Sequence, residues 1–339
     1  MMAPVPLGGV HPVIPRLRAA AFAAVASLLF HAGPALAQAP AAFPSKPILF
    51  VVTSPPGGSN DIFARAIGRR LAEALGKPVV VENRAGATGS IGEAFVAKAA
   101  PDGHTIVMIS SSFTTKAAIQ TNLPYDPVTA FVPVAMIGKG PLILAVSPSV
   151  PANTAAEFFA LAKARPGKLN YATSGTGSIN HFATELLKDA AGIELTHVPY
   201  KGMGPATNDL IGGHVDVLVA SVPSLMQQVK SGKAKGIGVT TLQASPVAPG
   251  LPPLAGAGAK GYEVELWWGV LAPAGTPRAI VAQLNAEINK VLANPETREF
   301  LLREGAEPAP MSPEAFGALL RADIERWKKV AKAADIRAE

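Results

Sequence analysis

Two similar glycine-rich stretches predict the fold class of this chain: PGGSNDIFA at residues 56–64 and GTGSINHFA at residues 175–183. Each stretch follows a short apolar segment that predicts a buried strand, and each leads into an amphipathic helix. A glycine turn at the start of a helix directs unpaired backbone N–H groups and the positive end of the helix dipole to one point, which forms an anion site. Two such sites in one chain predict two lobes that hold one small anion between them.

The segments around the two loops repeat the same order of elements. Residues 48–111 and 169–221 each predict a strand, a glycine loop, a helix, a strand, a second helix and a third strand. Residues 48–52 (ILFVV) are apolar without alternation, which is typical of a parallel strand covered on both faces. The order predicts mostly parallel sheets with flanking helices, and it predicts ligands outside the carboxyl ends of the strands.

The C-terminal part does not repeat this order. Residues 267–272 predict a strand, after which Thr276 is expected to be a helix N-cap and Pro277 the first helical residue. If the tail returns to the first lobe, the chain crosses twice between the lobes and forms a two-lobed α/β clam shell. Predicted helices follow at 278–293, 295–304 and 313–334, and the predicted lobes are residues 44–140 plus 265–339 and residues 141–264.

The N-terminus predicts export. Arg16 and Arg18 precede an apolar run at residues 19–30, which is too short to span a bilayer, and Ala35-Leu36-Ala37 is a small-residue cleavage site. We favour a signal peptide over residues 1–37, cleaved near Ala37, over a membrane-anchoring helix. Cleavage would leave 28 of the 30 basic residues and all 24 acidic ones, a net charge of +4.

Composition and motifs exclude several functions. The chain has no cysteine, so it has no disulfide, thiolate nucleophile or thiolate metal site. Its histidines lack metal-ligand spacing, and no block of Lys and Arg predicts nucleic-acid binding. The nucleophile elbow, the phosphate loop and the full dinucleotide fingerprint are all missing. We therefore predict no metal, no cofactor, no nucleic-acid partner and no catalytic residue.

Seven short motifs follow one another along residues 44 to about 337. In this order and spacing they resemble the substrate-binding proteins of tripartite tricarboxylate transporters, the Bug family of periplasmic receptors. The motifs are PPGGSND at 55–61, VENR at 81–84, PDG at 101–103, LPYDP at 123–127, PGKLNY at 166–171, VPYKG at 198–202 and LAPAGTP at 271–277.

The resemblance implies a periplasmic-binding-protein-like clam shell with a cleft between two α/β lobes. It implies an organic carboxylate bound by the glycine loops with help from water, and delivery of that acid to membrane permease subunits. The expected protein is a periplasmic receptor and a monomer, not an enzyme. A ligand-sensing protein, or an extracytoplasmic enzyme acting on a carboxylic acid, remains an alternative because fold does not fix function.

Two positions depart from the pattern of that family. Ser54 stands where members often carry an aromatic residue, and Thr88 stands where glycine is common. The smaller Ser54 would widen one wall of the cleft and favour a bulkier acid.

The first loop offers backbone and side-chain groups to a carboxylate. Gly57 and Gly58 allow a ligand to approach the backbone N–H groups closely. Ser59 and Asn60 either contact the acid or only cap the helix, since both residue types are common N-caps. Asp61 is expected to be structural, because an acid in the first turn suits the helix dipole and would repel a nearby carboxylate.

The second loop leaves two side-chain roles open. His181 either pairs as a cation with a second carboxylate or bonds the loop as a neutral ring. Lys201 is either a cleft cation or a solvated loop charge. Serine hydroxyls at the strand ends can hold ligand oxygens or bridging water. The predicted ligand-binding set is Pro56, Gly57, Gly58, Ser59, Asn60, Ser111, Ser112, Ser174, Gly175, Thr176, Gly177, Ser178, His181, Lys201, Gly202 and Ser221.

Overall fold

The computed structural model describes residues 1–6, 8, 9 and 43–337. The chain divides into a unit of residues 1–43 and a unit of residues 44–339. The described residues of the first unit form no helix or strand. The basic and apolar segments of the predicted signal peptide, residues 16–37, lie outside the described residues. The architecture below is that of the second unit.

The first part of this unit alternates strands and helices because apolar strands are separated by amphipathic segments. Helix α1 buries Phe63, Ile67 and Leu71 at a spacing of four and ends at Gly76, whose φ is 63°. In chain order the elements are β1 (Ile48–Val52), α1 (Ser59–Leu75), β2 (Val79–Asn83), a 3-10 turn (Ala87–Gly89), α2 (Ser90–Ala97), β3 (Thr105–Ser110), α3 (Ser112–Ile119) and β4 (Phe131–Val146).

The second part repeats the alternation, and a mainly helical tail follows it. The repeated part comprises α4 (Ala155–Ala164), β5 (Asn170–Thr173), α5 (Ile179–Ala191), β6 (Thr196–Pro199), α6 (Met203–Gly212), β7 (Val217–Ser221), α7 (Val222–Lys230) and β8 (Lys235–Val239). A second 3-10 turn (Leu254–Ala257) leads to β9 (Glu265–Pro273), α8 (Arg278–Ala293), α9 (Pro295–Arg303), β10 (Glu307–Pro308) and α10 (Pro313–Ala333).

The strands form a mixed sheet in the order β2-β1-β3-β9-β4-β7-β5-β6, with β8 and β10 also paired to β4. Strands β2, β1 and β3 are parallel, as are β7, β5 and β6. Strands β9 and β4 run antiparallel to their neighbours. We call the part containing β1 to β3, β9 and β10 the first lobe, and the part containing β5 to β8 the second lobe.

Strand β4 belongs to both lobes. Its residues from Phe131 to Pro141 pair with β9, and from Leu142 to Val146 it pairs with β7. The chain enters the second lobe along β4 and returns along β9, so the protein is a two-lobed α/β clam shell. The lobe boundaries at residues 140 and 264 stay a prediction.

Three details differ from the sequence-based expectations. Helix α3 and the long strand β4 were not predicted, because α3 is short and because glycine and proline interrupt the β4 sequence at Gly138, Gly140 and Pro141. Thr276 is not an N-cap. Its hydroxyl donates to the carbonyl of Pro273 at 2.7 Å, and α8 begins at Arg278 after Pro277.

Among the described residues no helix combines the length and the apolar character needed to cross a bilayer.

A substitution at Gly269 of β9 tests how tightly the C-terminal helix packs on the first lobe. A Cβ there would lie 2.3 Å from Phe316 Cζ and 3.1 Å from the carbonyl oxygen of Ala135. We expect Gly269→Ala to lower the free energy of unfolding by about 1–3 kcal/mol, because Phe316 is fully buried and has no room to move. Urea unfolding measures this change. Gly256→Ala, with nothing within 4 Å of its Cβ, is the matched control and should change stability little.

Candidate functional site

A cavity of about 700 Å³ lies between the two lobes. Its wall includes Thr53 after β1, Ser110 at the end of β3, Ser174 after β5 and Ser221 at the end of β7. The cavity therefore lies outside the carboxyl ends of the parallel strands of both lobes, where open α/β sheets bind ligands. We refer to this cavity as the cleft.

The first glycine loop presents open backbone amides to the cleft. Gly58 is the N-cap of α1 and has an extended backbone, with no side chain bonded to the cap. No described residue accepts a hydrogen bond from the amides of Ser59 and Asn60, and both residues line the cleft. These amides and the positive end of the helix dipole form an anion site. Since Gly58 is the N-cap, neither Ser59 nor Asn60 serves only as a cap.

Asp61 fixes the shape of this loop. Its Oδ2 accepts from the amide of Gly57 at 3.0 Å, and its Oδ1 accepts from Arg65 Nε at 3.0 Å and from Asn83 Nδ2 at 2.9 Å. Burial alone would raise the pKa of Asp61, but the hydrogen bonds from Arg65, Gly57 and Asn83 outweigh it and hold the pKa below its ordinary value of 3.8. The amide of Gly57 is thus engaged within the protein and does not face the cleft.

Ser59 is held by the first lobe. Its Oγ accepts a hydrogen bond from Trp268 Nε1 at 3.0 Å, and the ring of Trp268 packs edge-on against Phe63 of α1. The tryptophan of β9 therefore positions the first turn of α1 from behind. Ser54, the residue expected to widen one wall, does line the cleft.

The second glycine loop has fewer open amides than the first. Ser178 is the N-cap of α5, and its Oγ accepts from the amide of His181. The amide of Gly177 donates to His181 Nδ1 at 3.3 Å, so that nitrogen carries a lone pair. The ring of His181 stacks on His197 with centroids 4.1 Å apart. His181 thus supports the loop from behind and does not line the cleft.

Ser111 and Ser112 have different roles. Ser111 is fully buried, and its Oγ accepts from the amide of Trp267 at 2.9 Å, so it joins β9 to α3. Ser112 lines the cleft, and its Oγ accepts from the amide of Ile179 in the second lobe at 3.1 Å. The amide of Asn180 is left as the open donor in the first turn of α5, since no described residue accepts from it.

The two lobes touch at the glycine loops. Thr115 Oγ1 donates to the carbonyl of Gly177 at 2.8 Å, and Thr88 Oγ1 donates to the carbonyl of Thr176 at 3.3 Å. A Cβ at Gly175 would lie 2.9 Å from Thr88 Oγ1, and one at Gly202 would lie 3.0 Å from Pro55 Cγ. These glycines therefore leave room for the facing lobe as well as for a ligand.

Lys201 lines the cleft, is exposed and forms no ion pair with any described residue. Ser221 also faces the cleft, and its Oγ lies 2.9 Å from Ser224 Oγ. The wall therefore combines open amides, hydroxyls and one unpaired cation.

The structure brings most of the predicted set to the cleft, but five members lie behind its wall. Gly57, Ser111, Gly177, Ser178 and His181 do not line it, because their polar groups bond other parts of the protein. The predicted residues on the wall are Pro56, Gly58, Ser59, Asn60, Ser112, Ser174, Gly175, Thr176, Lys201, Gly202 and Ser221.

Sequence reasoning missed a buried polar cluster at the floor of the cleft. Lys116 of α3 is fully buried and pairs with Glu93 Oε2, and the hydroxyl of Tyr125 donates to the same oxygen. Lys116 Nζ also donates to the carbonyl of Thr88 at 3.2 Å. Burial lowers the pKa of Lys116, and the charge of Glu93 opposes that shift. Burial also raises the pKa of Tyr125. No sequence spacing signals this cluster.

Two lobes of this kind, closing over a cavity with open helix amides, are typical of solute-binding receptors, and the fold and site place the protein in that class. No group of three or more potential metal ligands occurs in the part of the chain that the structure describes.

The chain belongs to the receptors of the tripartite tricarboxylate transporter family, the Bug family. A family model described as "Tripartite tricarboxylate transporter family receptor" matches residues 63–336. A relative from Pseudomonas sp. (strain P51), the "UPF0065 protein in tcbD-tcbE intergenic region", is 42% identical over 290 residues, which are 85% of this chain and 86% of the relative.

Solved structures agree with this assignment and with the predicted clam shell. "R. palustris Rpa4515 with adipate" is 37% identical, with a TM-score of 0.84, and covers 87% of this chain and 99% of its own. "Periplasmic binding protein BugD" is 34% identical, with a TM-score of 0.83 over 88% of this chain and 100% of its own. MatC from Rhodopseudomonas palustris "with bound malate" is 32% identical, with a TM-score of 0.80 over 85% and 99%. The family and these neighbours are solute-binding proteins rather than enzymes.

Asp61 should stabilise the protein in a pH-dependent way. We expect Asp61→Ala to lower the free energy of unfolding at pH 7 by about 1.5–3 kcal/mol, because three donors lose a charged acceptor. A carboxyl whose pKa is lowered by folding stabilises above its ordinary pKa of 3.8 and loses that contribution as the pH falls further. Urea unfolding should therefore show a difference that shrinks below about pH 4. Glu73→Ala, an exposed acid on the same helix, is the control; an equal loss there would contradict this role.

Gly177 should be required for contact between the lobes. Its φ is 80°, and a Cβ there would lie 2.8 Å from Ile119 Cδ1 and 3.9 Å from Lys116 Cα in the first lobe. We expect Gly177→Val to weaken the binding of an acid ligand at least tenfold, because the added side chain holds the lobes apart.

Gly192→Val is the matched control. Gly177 precedes α5 and Gly192 follows it, with a φ of 61° and nothing within 4 Å of its Cβ. Both variants carry the strain of a left-handed backbone, but the control should bind normally. Isothermal titration calorimetry compares them, and equal affinities would show that the lobe contact at Gly177 does not matter for binding.

Proposed function

We propose that this receptor captures a small organic carboxylate in its cleft and delivers it to the membrane permease subunits of a tripartite tricarboxylate-type transporter. The observation that carries the proposal is the pair of open amides at Ser59 and Asn60, which line a cavity of about 700 Å³ at the start of α1. A carboxylate bound there would accept both N–H bonds and meet the positive end of the helix dipole.

The expected affinity of these amides for a carboxylate suits a transport receptor. A hydrogen bond from an amide to a charged acceptor contributes about 1.5–3 kcal/mol, and the helix end adds about 0.3–1 kcal/mol. With the open amide of Asn180 from the second lobe, three such bonds support binding in the micromolar range after the cost of ordering. The bond from the second lobe would favour the closed form of the protein.

A second carboxylate on the ligand would find Lys201. This lysine lines the cleft without an ion-pair partner among the described residues. Dicarboxylates are therefore the substrate class that we propose, and a relative whose structure contains adipate supports this choice. The role of His181 in this proposal is to support the second loop as a neutral ring, not to pair with the ligand.

The setting that we propose is the periplasm. It is supported by the N-terminal sequence pattern, with cleavage near Ala37, and by a related structure that is named a periplasmic binding protein. We propose a monomer that docks to its permease in the ligand-bound form. Coupled uptake of the bound acid by vesicles that contain the permease would distinguish transport from a sensing role, since a sensor binds the acid without moving it.

A thermal-shift screen of organic acids on the purified protein tests the proposed function. Mono-, di- and tricarboxylates of increasing length are compared at one concentration, and the hits are measured by calorimetry. Stabilisation by dicarboxylates, with little effect from uncharged diols of equal length, is the expected result. Absence of stabilisation by any acid would remove the proposal.

Lys201→Met should separate the two carboxylate sites. We expect it to weaken dicarboxylate binding about two- to fivefold, because the cation is exposed and its ion pair is screened by solvent. The affinity for monocarboxylates should stay the same. Lys233→Met, an exposed lysine of the second lobe away from the cleft, is the control. An equal loss of affinity for mono- and dicarboxylates would show that Lys201 does not read the second charge.

A further inference from the structure

Glu93 brings a buried carboxylate to a cleft that we assign to an acid ligand. The residue is 2% exposed and lines the cleft floor. Its Oε2 accepts from both Lys116 and Tyr125. No described residue donates a hydrogen bond to its Oε1. The cluster therefore satisfies one oxygen of the carboxylate and leaves the other without a donor.

The free oxygen is open to the cleft because Gly89 has no side chain. A Cβ on Gly89, whose φ is 95°, would lie 3.1 Å from Glu93 Oε1 and 3.2 Å from Thr53 Cβ. Thr53 and Gly89 both line the cleft, and Thr53 directly follows β1. Oε1 is thus at the carboxyl end of β1, where the loop that carries the open amides of α1 begins.

The hydrogen-bonding capacity of Glu93 Oε1 determines which kind of ligand group can bind it. A carboxylate oxygen only accepts hydrogen bonds, so a ligand group that binds Oε1 must donate one. A second carboxylate would be repelled there, whereas a hydroxyl would donate to it. The charge of Lys116 balances that of Glu93, so a ligand ammonium gains less beside Oε1 than it would beside an unpaired carboxylate.

We propose that Glu93 is a specificity-determining residue that accepts a hydrogen bond from a hydroxyl group of the ligand, so that the receptor selects hydroxy acids over the same acids without the hydroxyl. This inference rests on the proposed function, since the carboxylate of the ligand is held by the amides of α1. Lys116 is the positioning residue that holds Oε2 and turns Oε1 toward the cleft, and Tyr125 adds a second donor to Oε2.

Calorimetry with chain-length-matched acids tests the inference on the wild-type protein. Succinate is compared with both enantiomers of malate, and adipate with 2-hydroxyadipate. We expect the hydroxy acid to bind about 10- to 100-fold more tightly in at least one pair, as for a hydrogen bond to a charged acceptor. Equal affinities in every pair would overturn the inference while leaving the proposed function intact. If neither member of any pair binds, the proposed substrate class of dicarboxylates is wrong and this inference fails with it.

Aspartate tests whether Glu93 instead binds an ammonium group of the ligand. Because Lys116 lies on the other side of the carboxylate, aspartate should bind more weakly than malate. If aspartate binds more tightly than malate, Glu93 reads an ammonium and the assignment to a hydroxyl is wrong. A crystal structure with the preferred acid should place its hydroxyl oxygen within about 3.2 Å of Glu93 Oε1.

A variant that removes the whole cluster isolates the effect of the carboxylate. Glu93→Leu, Lys116→Met and Tyr125→Phe are combined, since an apolar replacement of a buried ion pair is usually tolerated, whereas a lone buried charge is not. In the triple variant the affinities for the two members of a pair should become equal, whatever the affinity for the acid without the hydroxyl. Tyr125→Phe alone is the control and should keep the preference, because Oε1 and the ion pair remain. A preference that survives in a folded triple variant would overturn the inference.

Discussion

The carboxylate of Asp61 is the interaction on which the first half of the site depends. It accepts a hydrogen bond from the amide of Gly57 and so fixes the turn that leaves the amides of Ser59 and Asn60 open to the cleft. The same carboxylate bonds Asn83 at the end of β2 and Arg65 one turn along the helix. One acid thus joins the loop, the helix and the neighbouring strand, and its negative charge does not line the cleft.

The second half of the site is built differently, because contact with the first lobe replaces internal bonds. Ser112, Thr115 and Thr88 each bond the second glycine loop across the cleft. Behind that loop, His181 Nδ1 accepts from the amide of Gly177, and the ring of His181 stacks on that of His197. The two loops are alike in sequence, yet the first leaves two amides open to the cleft, whereas the second also bonds the other lobe.

The sequence predicts the local parts of this structure well. The strand at β1, the helix α1 and its end at Gly76 follow from apolar spacing and glycine chemistry within a few residues. The site was less predictable, because its geometry depends on which backbone amide donates a hydrogen bond to each side chain. Gly57 and Gly177 look like ligand contacts in sequence but bond Asp61 and His181 instead. The cluster of Glu93, Lys116 and Tyr125 joins residues 23 and 32 positions apart, and no periodic pattern encodes such contacts.

Strand β4 has a mechanical consequence. Because it is hydrogen-bonded into the sheets of both lobes, the lobes can separate only by twisting or bending this strand. At its middle, a Cβ on Gly138 or Gly140 would lie 2.9 or 2.7 Å from a carbonyl oxygen of the segment at β10, so backbone packs directly on backbone there. Separation of the lobes therefore requires a rotation about this tightly packed part of β4. The displacement of each lobe grows with distance from β4. Any outer surface that spans both lobes would therefore change its contour whenever the lobes separate.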